Sequence, residues 1–150
     1  MITYQRESYR DVIEELKPFY PLHFAELASD PSIPLNPDYD TYNRLADAGI
    51  IHVVTVRNDS NLIGYHIAMV YPHLHYAQSL TAHTDIYYIA KPYRKGYTGI
   101  RLFKFVEDDL KSFGVGRIYT STKTDSDKGI IFNRLGYSKK EVVYTKVLKG

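Results

Sequence analysis

Apolar positions in the first stretch recur at helical spacing: Val12, Ile13, Leu16 and Phe19 fall on one face after a short run, residues 2–4, that reads as a strand. Ser8 with Asp11 three residues later resembles a helix start, and Pro18 and Pro21 break the pattern. The run DPSIPLNP, residues 30–37, carries three prolines and predicts an irregular connection. Asp38 then caps a second helix through Leu45, which Gly49 closes.

From Ile50 the period changes to two. Residues 50–57 are rich in β-branched side chains, and Asn58-Asp59-Ser60-Asn61 is a turn cluster, so a hairpin follows. Strict alternation on its return strand puts Ile63, Tyr65, Ile67, Met69 and Tyr71 on one face. Pro72 ends that strand and opens the loop PHLHYAQSLTA, before another strand at 83–90. Helical spacing returns from Thr98 with Phe103, Val106, Leu110 and Phe113, while Arg101, Lys104, Asp108 and Lys111 lie opposite; Gly114 closes the helix. A short strand at 117–122, a short helix at 128–135 ended by Gly136, and a final strand at 137–148 complete the chain. No repeat or long linker divides it, so the order β-α-α-β-β-β-α-β-α-β predicts one mixed α/β domain over residues 1–150.

Composition narrows the chemistry. With no Cys among 150 residues there is no disulfide framework, thiolate zinc site or thiol nucleophile. The 44% hydrophobic and 24% charged content is that of a folded protein, no apolar run approaches a bilayer span, and the expected location is the cytoplasm. The net charge of +2 argues against a general nucleic-acid coat. That total conceals a division: residues 1–49 net −5 and the remainder +7. One reading is scattered solvated charge; the other is an anionic ligand on the C-terminal part and a cationic partner at the N-terminal part.

The most informative segment is IAKPYRKGYTGIRL, residues 89–102. Strand, proline, basic glycine-containing loop and helix start follow one another, a junction that gathers backbone N–H groups and the positive end of a helix dipole where a phosphate can sit. It lacks the Gly-Lys-Ser/Thr of a P-loop and does not complete Gly-x-Gly-x-x-Gly. An ordinary strand-to-helix turn would also use two glycines.

The segment resembles the acetyl-CoA motif of the GNAT N-acetyltransferases, Arg/Gln-x-x-Gly-x-Gly/Ala after a strand ending apolar-x-Pro. Arg94 takes the first position, Gly99 the last and Ile89 the strand end, while Tyr97 stands at the inner Gly position with Gly96 one residue earlier. IIFNRLGY, residues 130–137, is similar to the family's later helix, and the resemblance spans the element order of nearly the whole chain. PHLHY and KPYRKGYTGIRL also look like a subgroup carried by bacteriophages.

The resemblance implies a mostly antiparallel twisted sheet with two splayed parallel strands and about four flanking helices. It implies an acetyl-CoA-dependent N-acetyltransferase acting on a primary amine by direct transfer in a ternary complex, without a metal. A family-fold module that binds CoA or a host protein without turnover is the alternative. Pyrophosphate would lie on Arg94, Lys95, Gly96, Tyr97, Thr98 and Gly99, and the pantetheine arm between strands 83–90 and 117–122, beside Tyr87 and Ile89. A backbone N–H near Ile89 would polarise the thioester carbonyl. The acceptor would pass the acidic N-terminal helices, whose tyrosines include Tyr9, Tyr20, Tyr39 and Tyr42, and the loop residues His73, His75 and Tyr76. Family members often form homodimers; membrane and nucleic acid are not expected partners.

An alkylammonium of pKa near 10.4 is less than about one part in a thousand neutral at pH 7, so direct transfer needs a base. His83 holds the position of a catalytic Glu in some family members, and Asp85 shares its strand face roughly 7 Å along the chain. Either can serve, or both can share a water. The family's general-acid Tyr falls on Phe132, which leaves Tyr87, Tyr88, Tyr144 or water to protonate the thiolate. His73, His75, His83 and Asp85 also permit a metal reading, which a shaped loop explains more simply. His23, His52 and His66 read as packing or surface residues.

Overall fold

The computed structural model describes residues 1–27, 32–124 and 127–149. β1 (Ile2–Arg6), α1 (Tyr9–Leu16), α2 (Phe19–Leu27) and α3 (Tyr39–Asp47) lead into β2 (Ile51–Asn58), β3 (Asn61–His73) and β4 (Tyr76–Ile89). A 3-10 turn at Lys91–Tyr93, α4 (Thr98–Ser112), β5 (Val115–Tyr119) and α5 (Gly129–Arg134) follow. The strands lie in sequence order in one sheet, antiparallel throughout except for β4 and β5, which are parallel.

The two sheet faces bury unlike cores. Under α1–α3, Tyr9, Tyr20, Tyr65 and Tyr88 pack with Val12, Ile13, Leu16, Val53 and Ile67. Under α4, Leu102, Val106 and Leu110 form an i, i+4, i+8 stripe on Val54, Val56, Ile63, Ala68 and Ala82. Each fully buried aliphatic side chain there contributes about 1.5–3 kcal/mol.

Several expectations change. Pro18 does break the first helix, since α1 ends at Leu16, but Pro21 does not end helical structure: α2 starts at Phe19 and accommodates Pro21 in its first turn, where no intrahelical N–H is needed. Among the described residues there are five α-helices. The 72–82 segment is the β3–β4 hairpin tip and the first half of β4, because Pro72 pairs with Leu80 and β4 begins at Tyr76. Ile63 leaves the face of Tyr65 and Ile67: Val56 opposes Gly64 while Arg57 opposes Leu62, so Ile63 is an extra residue turned into the α4 core. The strand expected at 117–122 is Val115–Tyr119. The one expected at 137–148 does not form. Val143 is 81% and Tyr144 92% exposed, and alternation makes a strand only where a neighbour supplies ladder hydrogen bonds and covers one face. Asp38 caps α3 as expected, accepting from Thr41 N–H at 3.0 Å. Of the 30–37 connection, Asp30 and Pro31 lie outside the described residues.

No described helix is long and apolar enough to cross a membrane.

Candidate active site

β4 organises the site because its two edges do different things. Parallel pairing with β5 runs from Leu80 opposite Val115 to His83 opposite Tyr119 and stops there, while pairing with β3 continues to Ile89 opposite Gly64. Beyond His83 the β5 side of β4 is therefore an open edge. Ala90 N–H donates to Ile63 O at 2.8 Å, so antiparallel alternation turns the N–H and C=O of Ile89 and Tyr87 away from β3, toward that edge. The Ile89 carbonyl accepts from Arg94 Nε at 2.5 Å. Gly64 permits the tight β3–β4 approach: a Cβ there would stand 2.7 Å from Tyr88 O.

Side chains bridge the parting strands. Tyr87 Oη donates to Ser121 O at 2.9 Å, and Thr84 and Thr120 hydroxyls lie 3.0 Å apart, with His66 Nε2 3.2 Å from Thr84. His66 is fully buried, and burial lowers its pKa to about 3. Phe132 packs edge-on against Tyr87 and Phe103, so no hydroxyl stands at this position.

At the same point the ladder slips. Ile67 opposes Ile86 and Ala68 opposes Thr84, which leaves Asp85 as the extra residue of a β-bulge. Its half-buried carboxylate faces α3, where Tyr42 Oη donates to Oδ2. Burial raises the Asp85 pKa and the tyrosine hydrogen bond opposes that rise. His83 lies between Tyr71 and Tyr119, with ring centroids 5.1 and 5.0 Å away and nearly parallel planes. Burial and His73 lower its pKa, which Glu141 counteracts, and the net direction favours the neutral imidazole.

His73, His75 and Tyr76 gather at the β3–β4 tip, with His75 N–H donating to His73 Nδ1 at 3.0 Å. His73 also approaches His83 and Tyr119, which joins the tip to the His83 row. Tyr88 is buried in the aromatic core, and Tyr144 stands in the unpaired C-terminal segment, almost fully exposed. Among the described residues no three His, Asp or Glu side chains group as a metal site.

The anion loop has a fitting backbone. Arg101 N–H makes the first helical bond, to Tyr97 O at 2.8 Å, so the preceding N–H groups of Thr98, Gly99 and Ile100 are those a helix start leaves without intrahelical acceptors. Gly96 adopts φ +62° beside exposed Lys95 and Tyr97, and Thr98 Oγ1 bonds Lys95 O at 3.1 Å. Those groups suit a pyrophosphate. Arg94 points elsewhere: Nη1 and Nη2 each donate to Glu26 of α2 at 2.8 Å, and the guanidinium lies 5.1 Å from the Tyr88 ring centre.

The sequence matches the profile of the acetyltransferase (GNAT) family over residues 9–137. The chain belongs to that family. No curated protein matches its sequence. GNAT structures from other organisms share its fold. An aminoglycoside acetyltransferase from an uncultured soil metagenomic sample, solved with sisomicin, superposes with a TM-score of 0.75 at 13% identity, over 99% of this chain and 97% of that one. The ribosomal-protein-alanine N-acetyltransferase of Brucella melitensis biovar Abortus 2308 gives 0.70 at 15% identity, over 97% and 99%. A predicted acetyltransferase of Clostridium acetobutylicum, solved with acetyl-CoA, gives 0.70 at 12%, over 99% and 97%. The GNAT family uses acetyl-CoA, and the open β4 edge beside the N-terminus of α4 is the part of this chain whose donors fit that molecule.

Sequence reading placed Tyr42 on the acceptor side but gave it no role. Its signal was the i, i+3 spacing of Tyr39 and Tyr42 on a capped helix, which puts two phenols on one face.

Proposed function

We propose that this GNAT protein is an acetyl-CoA-dependent N-acetyltransferase that acetylates a cationic primary amine by direct transfer within a ternary complex. The observation that carries the reading is the Asp85 bulge, which sets a half-buried carboxylate on the acceptor face where β4 and β5 part.

Acetyl-CoA supplies the activated acyl group. Thr98, Gly99 and Ile100 N–H groups with Lys95 hold its phosphates, and the outward N–H groups of Tyr87 and Ile89 are donors for a carbonyl that gains negative charge. Asp85 takes the ammonium proton, directly or through one water, leaving the amine lone pair free to attack. His83, two residues back on the same face, is the alternative acceptor. The nitrogen–acyl bond forms as the acyl–sulfur bond breaks, the acylated nitrogen releases its second proton to solvent, and the thiolate takes one from solvent or from Tyr87, whose hydroxyl lies at the parting strands and is reprotonated by solvent. The negative N-terminal part favours a cationic acceptor.

The test is incubation with acetyl-CoA and a panel of polyamines, aminoglycosides, amino acids and peptides, followed by intact mass and free thiol. Release of CoA with one acetyl group gained by an acceptor is the expected result. Acetyl-CoA binding without turnover across the panel favours a non-catalytic module instead, a reading supported by Arg94 being paired with Glu26 and by the side-chain bridges between β4 and β5.

A further inference from the structure

We infer that Tyr42 is the positioning residue of the proton-accepting carboxylate: its hydroxyl, donated to Asp85 Oδ2 from α3, fixes the direction and charge state of the bulged side chain. The inference rests on the proposed role of Asp85.

A bulge re-aims a side chain and removes the ladder partner that would hold its backbone. Asp85 therefore needs an anchor from another element. The titratable groups around it are Tyr9 on α1, Tyr20 and His23 on α2, Tyr39 and Tyr42 on α3, Tyr65 on β3, and His83 and Tyr88 on its own strand. The cations over the outer rings are engaged elsewhere: Lys17, over Tyr39, pairs with Glu14, and Arg94, over Tyr88, pairs with Glu26. Among the described residues no cation enters the charge balance of Asp85, for which burial and the Tyr42 hydrogen bond account.

Four phenols feel the Asp85 charge, and they divide by partner. Tyr65 Oη meets His23 Nδ1 at 2.9 Å, while the hydroxyls of Tyr9 and Tyr20 are buried without a partner. Tyr42 is the one that reaches the carboxylate. Its placement is determined twice. The Tyr9 ring stacks on it at 5.5 Å and 15°, and the Asp38 cap fixes the first turn of α3 through Thr41 N–H and Oγ1. A hydroxyl donated to a carboxylate favours the anion, and in a half-buried site that donor opposes the neutralising effect of burial.

The test is carboxyl-detected NMR titration of Asp85 in the full chain and in Y42F, with the pH profile of turnover alongside. Phe keeps the stack on Tyr9 and removes only the oxygen. Asp85 should titrate about one pH unit higher in Y42F, a roughly tenfold change in proton affinity, and the acidic limb of turnover should move the same way. In the unmodified protein the Tyr42 ring carbon bearing oxygen should follow the Asp85 titration, a measurement that needs no variant. An Asp85 titration unchanged in Y42F, or a Tyr42 signal indifferent to Asp85, overturns the inference. An Asp85 shift with an unmoved turnover limb upholds the role of Tyr42 and overturns Asp85 as the base.

Discussion

The two faces of one sheet solve packing in opposite ways. Under α4 an aliphatic cluster lies beside the rings of Phe103, Phe132 and His66, and the stripe Leu102, Val106, Leu110 buries area and holds the start of α4 against the sheet, where Tyr4 Oη also bonds Thr98 O at 3.0 Å. Under α1–α3 phenol rings pack among Val12, Ile13, Leu16, Val53 and Ile67, their oxygens must be satisfied or left buried at a cost, and they surround a carboxylate. Apolar shape alone would be served better by Leu and Ile. The phenols surround Asp85 with low-polarity surface and a hydrogen-bond donor together, which suits a base whose charge must remain available. One face carries the helix whose start forms the proposed anion loop; the other holds the carboxylate proposed as the base.

The largest effect that separates the faces is on turnover. D85N should lower kcat by about 10²–10⁴-fold, the range a general base contributes, while acetyl-CoA still raises Tm, because the anion loop belongs to the other face. Equal kcat in D85N and the unmodified protein would dissolve the division. Stability should show the reverse weighting. L102A should cost about 2–5 kcal/mol in denaturant unfolding as a cavity opens in the aliphatic core. Y65F, which removes only the partner of His23 Nδ1, should cost about 1–3 kcal/mol. A larger loss in Y65F than in L102A would make the tyrosine face the main structural core.

Acidification sharpens the comparison further. His23, buried in the tyrosine core, has its pKa lowered by burial to about 4. Between pH 6.5 and about 4 the unfolded chain binds a proton there that the folded chain does not. Stability should therefore fall as pH falls through that window, by at most about 1.4 kcal/mol per pH unit. His66, lowered to about 3 on the other side of the sheet, adds the same sign and extends the window. Urea unfolding across pH 4–7 measures the slope, which H23Q should reduce; an unchanged slope would remove His23 as its source.

The smallest effect concerns the contact that links the two sides. Arg94 and Glu26 are partly exposed, so R94A should cost less than about 1 kcal/mol in stability. If the guanidinium leaves Glu26 for pyrophosphate, R94A should raise KM for acetyl-CoA with kcat little changed. An unchanged KM would leave Arg94 as a tie between α2 and the strand end at Ile89.

Much of this was legible in the chain. The 3.6 period marked α1 and α4, the Asp38 cap marked α3, β-branched content and alternation marked β2 and β3, and the strand-proline-basic-glycine junction at 89–99 marked the family. His83 and Asp85 do share a face, as strand parity required. Local pattern did not reveal α2, because its proline is harmless only in a first turn. It misread 137–148 as a strand, because alternation carries no information about whether a neighbouring edge is engaged.

What the sequence determined is what short-range physics encodes: periods, caps, turn residues and the charge division. Tertiary structure alone decided the rest. The slip between Ile67 and Ala68 that makes Asp85 a bulge depends on how two strands fit side by side. Tyr42 meets Asp85 across 43 residues, and Arg94 meets Glu26 across 68. A residue's type advertises what it can bond, but which partner it takes is set by backbone packing, and burial then fixes how much that choice matters.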